Sequence, residues 1–189
     1  MSKLAFVTGN VEKFLLGEQT CRKAGIELEQ VKLDIDEIQS ENSEAIALDK
    51  AGKAFAMLGK PLIITDDSWA IPELGGFPGP YMKSINQWFK PQDLINLTAK
   101  LKDRTIILTQ IIVYIDSKNT QLFQKDSRGQ LLKVAKGNWG QVSQKAITMD
   151  GDNGKSIAEI YDGKHQLDNR KPAELWHEFA NWYKDYAQS

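Results

Sequence analysis

Asp66 and Asp67 stand side by side after the apolar run Pro61-Leu62-Ile63-Ile64-Thr65, and the Gly/Pro-dense stretch Gly75-Gly76-Phe77-Pro78-Gly79-Pro80 follows them. Open α/β sheets bind ligands at the carboxyl ends of their strands, so adjacent acids at a buried strand's exit are placed to hold a divalent cation. A second acidic group, Asp34-Ile35-Asp36-Glu37, lies upstream, and Thr8-Gly9-Asn10 ends the first apolar run. Mg²⁺ favours one or two carboxylates plus substrate phosphate oxygens. Glu37 with Asp67 or Asp66 therefore reads as the protein's share of a metal–phosphate site, in an enzyme acting on a phosphorylated small molecule.

Thr8-Gly9-Asn10, at a strand-to-helix junction, can offer backbone N–H groups and the positive end of a helix dipole to an anion, with Gly9 allowing close approach. Lys13, one turn on, adds a charge. Neither G-x-x-x-x-G-K-[ST] nor G-x-G-x-x-G occurs. Each of these features also has a plainer explanation. The turn is what an ordinary strand-to-helix connection looks like, Asp34, Asp36 and Glu37 fit a solvated loop, and Asp67 fits a turn cap. For Asp67, between a buried strand and Ser68, the functional explanation is the stronger. Lys83 follows the Gly/Pro stretch near the start of a helix, and Lys50, Lys53, Lys155, Lys164, Arg170 and Lys171 are further candidate phosphate contacts, most of which read as surface charges. His165 and His177 lack metal-ligand spacing, and His177, among aromatics, reads as structural.

The elements that must position these groups follow from apolar periodicity. Leu4 to Val7 reads as a strand, and Val11, Phe14, Leu15, Glu18, Cys21 and Arg22 follow helical spacing up to Gly25. Leu28 to Leu33 alternates as a half-buried strand. Ser43 opens a second helix bearing Ile46, Ala47, Ala51, Ala54, Phe55 and Leu58, with Gly59 as its C-terminal cap. Leu62 to Thr65 is a buried strand that puts Asp66 and Asp67 at its carboxyl end. Short helices follow from Tyr81, Pro91 starting the segment Gln92 to Leu101. Strands are predicted over Arg104–Ile115, near Gln121–Gln124 and over Leu131–Ala135, an antiparallel meander. Ser156 to Ile160 forms a helical turn, and Pro172 initiates a closing helix through Tyr186.

The 189 residues fit one domain with two lobes. The net charge of −1 argues against a nucleic-acid polymer as partner, because such binding needs a basic excess. One cysteine, Cys21, cannot form an internal disulfide, and the start of the chain shows no signal-peptide pattern, so a reducing, cytoplasmic setting is expected. The longest apolar stretch, Thr105 to Ile115, falls short of the roughly 20 residues a bilayer needs. A soluble protein with no membrane partner is expected.

At these residues the sequence resembles the inosine triphosphate pyrophosphatase family, which hydrolyses non-standard purine nucleoside triphosphates to monophosphate and pyrophosphate. Phe6-Val7-Thr8-Gly9-Asn10-x-x-Lys13 is similar to the family's N-terminal motif, and Asp34-Ile35-Asp36-Glu37-Ile38-Gln39 to its metal-binding Glu segment. Asp66-Asp67-Ser68 is similar to its acidic motif, and Leu74-Gly75-Gly76-Phe77-Pro78-Gly79-Pro80-Tyr81-Met82-Lys83 to its Gly/Pro loop. The resemblance implies an α/β fold with an elongated mixed sheet in two lobes, flanking helices and an active-site cleft between the lobes. It also implies Mg²⁺-dependent attack on the α-phosphate and a homodimer. Glu37 and Asp67 would hold the metal, Asp67 or Asp66 would orient or activate water, and Lys13, Lys50 and Lys83 would bind phosphates. Thr8, Gly9, Asn10 and Ser68 complete that end of the site.

The second half departs from the family where the family reads the base. Its Phe-Gly-Trp/Tyr-Asp motif appears as Gly137-Asn138-Trp139-Gly140, keeping Trp139 alone, and its Ser-His-Arg motif as Asp168-Asn169-Arg170. Lys164 and Arg170 match, whereas Asn169 replaces a purine-contacting His. The missing stacking ring would remove about 1–3 kcal/mol of base affinity. Loss of the polar contacts removes discrimination, so altered or relaxed base preference is expected on ITP, dITP or XTP. The alternatives are a nucleotide-binding protein without turnover and the same chemistry on other modified nucleotides.

Overall fold

A computed structural model describes residues 3–162 and 174–188. Seven described strands, β1 (Leu4–Val7), β2 (Leu28–Val31), β3 (Leu62–Ala70), β4 (Pro78–Gly79), β5 (Thr105–Ile115), β6 (Thr120–Leu131) and β7 (Ile147–Met149), form one open mixed sheet in the order β2-β1-β3-β5-β6-β7, with β4 on β3, and helices flank it. The chain divides into two compact units, the described residues within Met1–Asp66, Gln110–Lys125 and Leu167–Ser189, and those within Asp67–Thr109 and Asp126–Gln166.

In the first unit, β1 (Leu4–Val7) is buried on both faces and pairs in parallel with β2 (Leu28–Val31) and with the start of β3 (Leu62–Ala70). Two helices connect these strands: α1 (Val11–Lys23) links β1 to β2, and α2 (Ser43–Leu58) precedes β3. The alternation of β1 sends Phe6 toward Cys21, Ile63 and Trp176, and Ala5 and Val7 toward Ala47, Ala51 and Ala54 of α2. The closing helix α7 (Glu174–Tyr186) adds Leu175, Trp176, Phe179 and Ala180 to the first of these clusters.

Both ends of α2 fall where the sequence reading places them. The N-cap of α2 is Asn42, whose Oδ1 accepts from the N–H groups of Glu44 and Ala45, so Ser43 is the first helical residue. Gly59 is the C-cap, at φ 61°, a left-handed conformation that glycine adopts without a Cβ penalty. The buried face of α1 is Gly17, Thr20 and Cys21, while Val11 and Leu15 are exposed. A helix whose small residue meets a Trp packs on a face that its larger apolar residues do not mark. Burial, then the Glu18 charge, push the Cys21 thiol up to about 12, which makes it a core residue and not a nucleophile.

A Cβ on Gly17 would lie 2.4 Å from the Trp176 ring. Gly17→Ala is therefore expected to lower unfolding free energy by about 1–3 kcal/mol through overpacking, read from urea denaturation. At the turn from β5 (Thr105–Ile115) to β6 (Thr120–Leu131), Asp116 accepts from the hydroxyls of Tyr114 (2.7 Å) and Tyr186 (2.9 Å) and from the Lys118 and Asn119 N–H groups. Burial alone would raise this carboxyl, but the four hydrogen bonds outweigh it and hold it below the usual carboxylate range. A depressed folded pKa stabilises above the unfolded value and is lost as pH falls through the folded one. Thermal melts of the wild type should therefore steepen in their decline below about pH 4, and those of Asp116→Ala should not.

The second unit has its own core: Ile71, Met82, Ile85, Ile106, Leu131 and Ile147, with Leu94, Ile95 and Ala146 beside it in a smaller cluster. Its remaining elements are β4 (Pro78–Gly79), α3 (Met82–Trp88), α4 (Pro91–Leu97), α5 (Val142–Ala146), β7 (Ile147–Met149) and α6 (Ile157–Tyr161). The meander differs from expectation. One strand, β6, replaces the two predicted segments, and Leu132 onward leaves the sheet. Ile147–Met149 takes the place on β6 instead, pairing antiparallel with Gly129–Leu131. No described helix is long and apolar enough to cross a membrane.

Candidate active site

Strand β3 does not stop before the acidic pair. Its parallel pairing with β1 ends at Val7↔Ile64, and it runs on to Ala70, where Trp69 and Ala70 pair with Gly79 and Pro78 of β4. Asp66 and Asp67 thus lie inside a strand, half-buried, in the stretch between its two pairings. Along its length the strand passes from β1 to β4 and it also pairs with β5, and the half-exposed stretch tolerates charge.

Being in a strand separates the pair. Successive side chains point to opposite faces, so the two carboxylates do not act as one adjacent chelating unit. Asp66 shares a face with Ile64, which packs against Ala47, Ala51 and Ala54 of α2. Asp67 projects from the other face, that of Ile63. Ser68, next in sequence, is buried.

Glu37 sits in the irregular segment before α2, and the helix reaches back to it. Lys50 Nζ lies 2.6 Å from Glu37 Oε1, and Lys53, one turn on, donates to the Asp36 carbonyl oxygen at 2.7 Å. Two lysines three residues apart on one helix share a face, which is why both meet the same loop. The structure thus joins Glu37 and Lys50, two residues that the sequence analysis put on a metal and on a phosphate. The Lys50 ammonium already balances the Glu37 carboxylate, and the carboxylates of Glu37, Asp66 and Asp67 are hard oxygen donors of the kind that Mg²⁺ takes. Among the described residues no three or more His, Cys, Asp or Glu cluster as a ready-made metal cage. A cation here would draw on substrate oxygens as well.

Thr8, Gly9 and Asn10 form the turn from β1 into α1. Asn10 is the N-cap, its Oδ1 accepting from Glu12 N–H (2.8 Å) and Lys13 N–H (3.1 Å), while Thr8 Oγ1 accepts from Asn10 N–H at 3.1 Å. These three backbone donors of the turn are therefore satisfied within the chain. What the turn still offers is the exposed backbone at Gly9.

In the second unit, Lys83 is exposed at the second residue of α3. Trp139 is half-buried against Tyr161, ring centroids 4.9 Å apart. Asp162, which no sequence signal singled out, accepts from the N–H groups of Asn138 and Trp139, both at 2.8 Å. A cavity of about 550 Å³, lined by Arg104, Leu132, Lys133, Thr148 and the 150–154 turn, contains none of the expected site residues. Lys164, Asn169 and Arg170 lie outside the described residues.

Residues 4–175 match the model of the Ham1 family, and the chain belongs to that family. Two relatives make the likeness more particular. A "dITP/XTP pyrophosphatase" of Methanopyrus kandleri is 29% identical over 97% of this chain and 97% of its own length. The "Inosine triphosphate pyrophosphatase 2" of Trypanosoma cruzi is 31% identical over 85% of this chain and 82% of its own. Among solved structures, a HAM1 protein from Coxiella burnetii has a TM-score of 0.77 at 16% identity, covering 98% of this chain and all of that one, and so shares the fold. The Staphylococcus aureus Ham1 protein has a TM-score of 0.74 at 17% identity with the same coverage.

Proposed function

We propose that this chain is a Mg²⁺-dependent nucleoside triphosphate pyrophosphatase that cleaves non-standard purine nucleotides such as ITP, dITP and XTP to the monophosphate and pyrophosphate. The observation that carries the reading is the Glu37–Lys50 pair, because it holds an acid and a base of the expected site together from separate elements. The pyrophosphatase names of the relatives point the same way. A homodimer, implied by the resemblance, and a cytoplasmic setting, expected from the single cysteine, complete the proposal.

Opposite orientation divides the labour within the acidic pair. We assign Asp66, on the α2 face, to the cation beside Glu37, in place of the Asp67 that the resemblance implied. Asp67 is assigned to the attacking water, which it orients and whose proton it accepts as the new oxygen–phosphorus bond forms at the α-phosphate. When bound, the Mg²⁺ neutralises phosphate charge and polarises the phosphoryl group. Lys50 leaves Glu37 for a phosphate oxygen, a cheap exchange because solvent-exposed ion pairs contribute about 0–1 kcal/mol. Lys13 and Lys83 add positive charge as the bond from the α-phosphorus to the bridging oxygen breaks and pyrophosphate departs, the charge stabilisation on which phosphoryl transfer depends.

Pyrophosphate release from a panel of ITP, dITP, XTP and the four common triphosphates, with and without Mg²⁺, tests the reading. Turnover of at least one deaminated purine triphosphate that requires Mg²⁺ is expected. No pyrophosphate from any member of the panel would end it.

A further inference from the structure

Strand β2 stops too early to pair fully with the turn that follows β1, and a side chain makes up the difference. Phe6 of β1 stands opposite Gln30 of β2, and Thr8, just past β1, donates its N–H to the Val31 carbonyl oxygen at 2.9 Å. A parallel ladder would next bring a β2 N–H to the Thr8 carbonyl oxygen, but β2 ends at Val31. The Gln30 amide takes that place: its Nε2 donates to the Thr8 carbonyl oxygen at 3.0 Å, a part-buried hydrogen bond between residues 22 apart in sequence. All of these groups lie in the first unit.

Holding that carbonyl fixes the peptide to which it belongs. The Thr8–Gly9 bond is trans, Phe77–Pro78 being the cis bond among the described residues, so the Thr8 oxygen and the Gly9 N–H point in opposite directions. Strand β1 lies between β2 and β3, and a Thr8 oxygen bound on the β2 side leaves the Gly9 N–H facing the β3 side. Of the N–H groups from Gly9 to Lys13, those of Asn10, Glu12 and Lys13 bind side chains of the turn, whereas those of Gly9 and Val11 have no partner among the described residues. Gly9 is exposed and is not at positive φ, and a Cβ there would meet nothing within 4 Å. Neither backbone strain nor close packing within the chain calls for this glycine. What it leaves is an uncovered backbone that an anion can approach.

We propose that Gln30 is a positioning residue for the substrate's phosphates: through the Thr8 carbonyl it holds the Thr8–Gly9 peptide so that the Gly9 N–H donates to a phosphate oxygen. The proposal rests on the nucleoside triphosphate reading above and adds to it a residue that touches no substrate and lies outside every motif of the resemblance. Without the amide, the Thr8 carbonyl loses its partner and the peptide plane can turn about its flanking bonds. The N–H would then have to be ordered as the phosphate binds, a cost that a donor held in place beforehand avoids.

Gln30→Met keeps the length and bulk of the side chain and removes the donor. The test compares it with the wild type on ITP turnover, on calorimetric binding of inorganic tripolyphosphate with Mg²⁺, and in the ¹⁵N–¹H spectrum, where the Gly9 amide reports its own hydrogen bond. In the wild type the Gly9 resonance should move when tripolyphosphate is added. In Gln30→Met, tripolyphosphate binding should weaken about twofold to tenfold, which is what one hydrogen bond contributes, and KM for ITP should rise by the same factor with kcat within about twofold. The Gly9 amide of the variant should shift less. Gln30→Asn, whose amide falls one methylene short of the carbonyl, takes its place if Gln30→Met does not fold. Tripolyphosphate binding equal to the wild type's, a fall in kcat at unchanged KM, or a Gly9 amide that responds in the variant as it does in the wild type overturns the proposal. So does a wild-type Gly9 amide that does not respond at all. Should the wild type release pyrophosphate from no triphosphate, the functional reading fails separately, and tripolyphosphate binding and the Gly9 amide still decide the role of Gln30. Weaker binding with a smaller Gly9 shift in the variant would then sustain the proposal; unchanged binding, or no binding to the wild type, would overturn it.

Discussion

Asp67→Asn is expected to lower kcat for pyrophosphate release by about 10²- to 10⁴-fold, the contribution typical of a positioned general base. Asparagine keeps the size and one acceptor oxygen, so the variant should fold and bind ITP with KM within a few-fold of the wild type. What it cannot do is take a proton from water. Asp66→Asn gives the contrast, because Asp66 projects from the opposite face of β3, the one packed against α2. Its loss should appear as a raised Mg²⁺ requirement that high Mg²⁺ partly overcomes, whereas no Mg²⁺ concentration should rescue Asp67→Asn. Steady-state kinetics over a Mg²⁺ titration separates the two patterns, and identical profiles for the two variants would refute the division of roles.

The second large effect is at Glu37. Glu37→Gln should raise the Mg²⁺ concentration giving half-maximal activity by about 10- to 100-fold, at least what loss of a residue supporting a metal ligand costs. It also releases Lys50 from the carboxylate that it meets at 2.6 Å. Metal-free binding of a nucleoside triphosphate should therefore become tighter by a few-fold as Mg²⁺ dependence worsens, since Lys50 no longer has to exchange an ion pair for a phosphate. Calorimetry with ITP in EDTA reads the first effect, and electron paramagnetic resonance of Mn²⁺ with ITP present reads the second. Weaker metal-free ITP binding in Glu37→Gln would show that the Glu37–Lys50 pair preorganises the phosphate site and does not compete with it.

Much of the first unit could be read from the sequence because its signals are local. Leu4–Val7 is a short, wholly apolar run before a turn, and Gly59 follows a clear helical period, so β1 and the end of α2 came out where the structure has them. The acidic pair was placed at a strand's end because two adjacent charges ordinarily terminate a buried run. Here β3 continues by exchanging β1 for β4, a tertiary event with no local trace. The new partner was equally hidden: Pro78 and Gly79 are poor strand residues, tolerated because β4 is a two-residue strand off the main path of the sheet. Gln124-Lys125-Asp126-Ser127-Arg128 has no apolar residue to mark a strand, yet it lies inside β6 with exposed and half-exposed side chains.

The candidate site shows the same division. Glu37 and Lys50 were legible as separate motif positions, but their contact spans thirteen residues and depends on how the loop folds back on α2. Asn10 was read as part of an anion site, and its N-cap geometry explains why asparagine suits that position without any ligand. Asp162 and Tyr161 left no signal, since a lone tyrosine ending a short helix and a lone acid after it have no informative spacing. Only the backbone of the Gly137–Gly140 turn, brought onto α6, gives them meaning.

Hydrolysis of ITP in ¹⁸O-labelled water, with mass analysis of both products, bears most directly on the proposed chemistry. One labelled oxygen in IMP, unlabelled pyrophosphate and a one-to-one product ratio are expected, together with loss of the reaction in EDTA. Label in the pyrophosphate, release of single phosphates, or IMP formation that persists without divalent cation would contradict attack of water on the α-phosphate of a metal-held triphosphate.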